Sequence, residues 1–109
     1  MKENRIEEFK QMSFEKQKEK LVVMLWALKD DEWIFEKALS VIKESGKITS
    51  EDLISIYESI LDFAQQIRDE EHANQSQTLS KIKTRLDTIA TRESLEKEQE
   101  NPDSLLNNI

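Results

Sequence analysis

Gly46 and Pro102 are each the only residue of their kind among the chain's 109 residues. That scarcity limits the fold more than any other feature. Folds rich in strands or loops need many backbone positions at positive φ or at a ring-fixed φ, which glycine and proline supply. This chain offers almost none, so the expected class is all-α. Its length allows one small domain with a modest core. Charged residues make up 36% and the hydrophobic set 37%, a balance suited to amphipathic helices with solvated outer faces.

Leu21 to Leu28 (LVVMLWAL) is the longest unbroken apolar run. On a helix, eight consecutive apolar residues leave no polar face, so such a segment is covered from several sides or stays exposed as an adhesive patch. A buried strand would satisfy the run equally well. The flanks favour helix, because Ser13 to Lys20 leads into it with strong helix formers and no turn residue. The run is therefore expected to be the central element, with Trp26 and neighbouring Trp33 packed into the core around it.

Four helices are expected, at about 14–29, 31–45, 50–71 and 76–97, forming a bundle of three to four helices. Ile6, Phe9 and Met12, spaced three apart, allow a further short N-terminal helix, loosely attached over residues 1–12. Ser13 is placed to cap the first main helix, with Glu15 in its first turn. Asp30-Asp31-Glu32 reads as a cap and acidic first turn for the second, where Phe35, Ala38, Leu39 and Ile42 form the stripe and Ile34 and Val41 widen it. Gly46 stands where a left-handed residue would close that helix. Thr49-Ser50-Glu51-Asp52 has the layout of a capping box for the third, with Asp in place of the usual Glu. Beyond Pro102 a tail is expected, so residues 1–97 read as one helical domain and 98–109 as a flexible C-terminal segment.

Two apolar seams follow Thr49. Leu53, Ile56, Ile60, Phe63 and Ile67 form one, and Leu79, Ile82, Leu86 and Ile89 the other. They are out of phase, since counting in sevens from Leu53 and Ile56 predicts apolar residues at 74, 77 and 81. Either the chain turns back near Ala73 to Ser76 or one helix continues through residues 72–78 with its stripe rotated. Charge slightly favours the turn. Glu51 to Glu71 holds seven acids against Arg68 alone, whereas Leu79 to Glu93 holds Lys81, Lys83, Arg85 and Arg92 against Asp87 and Glu93, so a hairpin would set an acidic helix beside a basic one.

Composition restricts function by exclusion. The net charge of −7 counts against nucleic acid, because phosphate binding is driven by clustered Lys and Arg. No apolar stretch approaches the roughly 20 residues that span a bilayer, and the N-terminus leads into charges, so a soluble cytoplasmic protein is expected. The chain has no cysteine, which removes disulfides and thiolate metal sites. Asp69 and His72 share a helix face at the spacing of carboxylate-bridged metal helices, yet His72 is the only histidine and two ligands do not make a site. Residues 44–52 resemble the second half of an EF-hand loop, but the aligned first ligand positions are Val41 and Lys43, which bring no carboxylate. The acids follow no repeated Glu-x-x-Glu pattern of the kind that holds magnesium in all-α nucleotide pyrophosphohydrolases. Thus no catalytic residue, cofactor or metal is expected, and no small-molecule substrate is evident.

Protein association is the leading expectation. The seam Leu53, Ile56, Ile60, Phe63, Ile67, Leu79, Ile82, Leu86 and Ile89 would bind a protein partner or a second copy, giving a coiled-coil homodimer. The alternative is a nucleic-acid-associated regulator built on a helix-turn-helix-like segment at 35–63. A metal-dependent all-α nucleotide hydrolase comes third.

Overall fold

A computed structural model describes the backbone of residues 2–100 and the side-chain surroundings of residues 3–93. Five helices occupy it: α1 (Lys2–Gln11), α2 (Phe14–Leu28), α3 (Trp33–Glu44), α4 (Ser50–Arg68) and α5 (His72–Glu100). The all-α class holds, and there is no strand among the described residues. The expected count of three to four helices is corrected to five, because the N-terminal segment forms a helix that buries Phe9 completely. The expected tail beyond Pro102 lies outside the described residues.

Local chemistry sets most boundaries. Ser13 accepts a hydrogen bond from the Lys16 N–H and starts α2. Thr49 and Asp52 complete the reciprocal capping box of α4, the Thr49 hydroxyl accepting from the Asp52 N–H and the Asp52 carboxylate from the Thr49 N–H. The start of α3 differs from expectation: Glu32 is its N-cap without a side-chain hydrogen bond, and Asp30 and Asp31 lie in the turn before it. Gly46 also differs. No glycine has positive φ, and α3 instead ends through Ser45 in extended conformation, whose N–H returns to the Val41 carbonyl.

The ambiguity at residues 72–78 resolves as a hairpin whose turn lies earlier, at Asp69-Glu70-Glu71, with α5 beginning at His72. Glu70 has φ 55°, its N–H donates to the Ile67 carbonyl at 3.2 Å, and the Glu71 N–H donates to the Gln66 carbonyl at 2.9 Å. That pair of bonds is the Schellman closure, with a glutamate where glycine is usual. Sequence periodicity could not reveal it, because neither Gly nor Asn marks the position.

The central element is α4, which packs against α1, α2 and α5, whereas α3 bridges α2 and α5. Phe9 of α1 stacks on Tyr57 with ring centroids 4.1 Å apart, and Phe35 meets Phe63 edge-on at 5.1 Å. Gln17, buried where α1, α2 and α4 meet, donates to the Phe9 carbonyl and accepts from the Ser50 hydroxyl. The run Leu21–Leu28 is thus not the centre. Only Leu21 and Leu25 are buried, and one of its faces looks outward.

Candidate interaction surface

The two seams meet inside one chain. Leu53, Ile56, Ile60, Phe63, Ile82, Leu86 and Ile89 are buried, Leu79 packs partly against the same core, and Ile67 at the end of α4 is 48% exposed. The out-of-phase spacing has a geometric cause, since each stripe belongs to a separate helix and α5 turns its own toward α4 and α3. A partner could reach most of these residues only by displacing a helix.

The acidic and basic helices also find each other, but through one buried carboxylate. Asp52 Oδ2 accepts from Arg92 at 2.7 Å and from the Thr49 N–H at 2.9 Å, and Oδ1 accepts from Arg85 at 3.1 Å. Burial pushes the Asp52 carboxyl up, but the hydrogen bonds from Arg92 and Thr49 outweigh it and hold the group below its ordinary value. Arg92, whose pKa the same pairing raises, also donates to the Lys47 carbonyl, and the Gly46 N–H donates to Glu93 Oε1. The turn that resembled part of an EF-hand is therefore tied to α5, with its terminal Asp52 already saturated by cations.

The apolar surface left outside lies mainly on α2. Val23 is 70% exposed and Trp26 is 60% exposed, with exposed Ala27 beside them. Lys29 Nζ lies 4.7 Å and Lys43 Nζ 5.6 Å from the Trp26 ring centroid, so the indole forms a platform between two ammonium groups. Trp33 is 61% exposed, lining with Leu79, Ser80 and Lys83 a shallow cleft between the start of α3 and α5. The expectation that both tryptophans fill the core is corrected. A helix packed along one side cannot cover eight consecutive apolar positions, and α3 and α4 cover only the inner half of this run. The run was the signal for this surface, although sequence alone did not say which half would face out.

A second open feature is polar. A groove of about 570 Å³ runs along the outer side of α4 and α5, lined by Ser55, Glu58, Ser59 and Asp62 on one wall and Ser80, Lys81, Thr84, Arg85 and Thr88 on the other. The outward face of α4, which a helix-turn-helix reading would lay against phosphates, thus presents two carboxylates and two hydroxyls.

His72 is exposed at the start of α5, and Asp69 is exposed in the turn before it. Among the described residues no group of three or more His, Cys, Asp or Glu is placed to hold a metal ion, and no helix is long and apolar enough to cross a membrane. Compared with protein-family models, with curated proteins and with solved structures, the chain matches none of them.

Proposed function

We propose that this chain is a non-enzymatic cytoplasmic adaptor that works by binding a protein, and that the outer face of α2 is where the partner sits. The observation that carries the reading is the exposure of Val23 and Trp26 in the middle of the longest apolar run. Exposed apolar residues scattered singly need no explanation, but a tryptophan and a valine on adjacent turns of one helix make a continuous apolar surface. Trp is also the residue type in which interfaces concentrate binding energy. Lys29 and Lys43, flanking the ring, give that surface a polar rim.

The nine-residue seam keeps a different role in this reading, that of holding α4, α5 and α3 together so that α2 is presented rigidly. A photo-cross-linking amino acid placed at Val23 of the full chain, activated in the protein's own cells, tests the assignment. A discrete adduct that disappears on Trp26→Ala is expected. Adducts that are absent, or unchanged by Trp26→Ala, would remove this surface as the binding site.

A further inference from the structure

The cleft between the start of α3 and α5 combines an apolar lining with an unbalanced rim. Exposed Trp33 and buried Ile34 line it from α3, and Ser76, Leu79 and Ser80 line it from α5, around a space of about 190 Å³ that has room for one aliphatic side chain. The two turns that lead into these helices lie beside it. Asp30-Asp31-Glu32 runs straight into Trp33, with Glu32 itself lining the cleft, and Asp69-Glu70-Glu71 ends five residues before Ser76, about 7.5 Å of helical rise. Six carboxylates thus stand there against two cations, Lys29 and Arg68. Lys29 reaches Asp30 at 3.5 Å, and the other five carboxylates make no ion pair among the described residues. On the side away from the turns Lys83 lines the cleft and shares Asp87 with Lys37, at 4.0 and 3.5 Å, so positive charge is partly met within the chain while the negative charge of the turns is not.

We infer that this cleft receives a basic amphipathic segment of another protein, with one aliphatic side chain seated against Trp33 and Leu79 and with lysines or arginines over the two acidic turns. The apolar lining supplies the anchor, since a tryptophan standing in water beside an open cleft is the residue type in which interfaces concentrate binding energy. Charge then selects the occupant, because an acidic segment would meet five carboxylates that no cation in the chain offsets, whereas a basic one complements them. The favourable dipole at the starts of α3 and α5 accounts for acids near these turns, but it places no tryptophan beside them. Ser76 and Ser80 are short enough to leave the cleft open and offer hydroxyls to the backbone of the bound segment. The cleft shares no residue with Val23 and Trp26, and the inference does not depend on the role of the α2 face.

Fluorescence anisotropy of dye-labelled peptides titrated with the full chain tests the inference. The probes are peptides of about 14 residues, long enough to form a helix: one of leucines and lysines at helical spacing, one with every lysine changed to glutamate, and one with every leucine changed to serine. The Leu/Lys peptide is expected to bind, the Leu/Glu peptide not to bind, and the Ser/Lys peptide to bind at least about tenfold more weakly. Trp33→Ala weakens the Leu/Lys peptide about tenfold, whereas Trp26→Ala leaves it unchanged. Asp31→Lys combined with Glu71→Lys also weakens it about tenfold, while the same change of charge placed on α1, Glu7→Lys with Glu8→Lys, weakens it less than about twofold. Circular dichroism melts check that each variant is folded, and because Trp33 and the reversed acids lie on different elements, a variant that fails to fold leaves the other to decide. The inference is overturned by a Leu/Lys peptide that does not bind up to millimolar concentration, by equal binding of the Leu/Glu peptide, or by binding that Trp33→Ala or the reversal at Asp31 and Glu71 leaves unchanged. Binding lost on Trp26→Ala but kept on Trp33→Ala also overturns it, while leaving the role of the α2 surface intact. So does a mass by light scattering that doubles from 12.8 kDa and falls back on Trp33→Ala, which would seat a second copy of the chain in the cleft.

Discussion

A carboxylate shut away from water is tolerated only when its lone pairs are taken up by donors, and Asp52 meets that condition with two guanidinium groups and one backbone N–H. Both arginines keep over a third of their side-chain surface in solvent, so they soften the desolvation while closing the α4–α5 hairpin and the start of α4 at one point. The folded pKa of Asp52 lies below its unfolded value near about 3.9, so its stabilisation is complete above that pH and is lost as pH falls through the lower folded value. Asp52→Asn should therefore lower stability at neutral pH by about 2 kcal/mol and flatten its decline below about pH 4. Urea titrations at neutral pH and near about pH 3 measure both effects, and an unchanged acid limb would show that other carboxylates set it. Glu70 is the opposite kind of residue, exposed and held at φ 55° with no Cβ-free backbone to ease it. Glu70→Gly removes the left-handed penalty and should raise stability by about 1 kcal/mol, read from the same titrations.

At the level of elements, the sequence disclosed what depends on neighbours within about four residues and concealed what depends on packing. The Ser13 cap, the Thr49–Asp52 capping box and the apolar stripes of α3, α4 and α5 were all legible, because each is a short-range pattern of side chains against their own helix. The turn at Asp69-Glu70-Glu71 was not, because a strained glutamate carries no mark in the sequence and only the closure of α5 onto α4 holds it there. The Arg85 and Arg92 partners of Asp52 were foreshadowed only as an acidic helix preceding a basic one. Gly46 shows the converse error, a residue whose presence suggested a conformation it does not have. Its φ is not positive and a Cβ built there would meet nothing within 4 Å. Gly46→Ala should therefore stabilise the protein by about 0.5 kcal/mol through the unfolded chain, whereas a left-handed glycine would make the same change cost about 1 kcal/mol. The sign of the shift in melting temperature decides between the two.

For the whole molecule, the question is which apolar residues hold the fold and which are available to something else, and burial separates them sharply. Domains of this size are stable by only about 5–15 kcal/mol. Ile82 and Leu86 are fully buried on α5, and truncating either to alanine leaves a cavity costing about 3 kcal/mol. The two together should take the chain close to unfolding at room temperature. Val23 and Trp26 are as apolar, yet their exposure means that little is lost on removal: Val23→Ser should change stability by no more than about 0.5 kcal/mol and Trp26→Ala, which forfeits the Lys29 and Lys43 contacts, by about 1 kcal/mol. Denaturant titration of the four single variants draws the line. A small loss at Trp26 together with a large loss at Leu86 means that the fold does not need the exposed tryptophan, as the proposed binding role of the α2 face requires. A loss at Trp26 as large as that at Leu86 would instead place the indole in the structural core and remove the α2 face as the proposed binding surface.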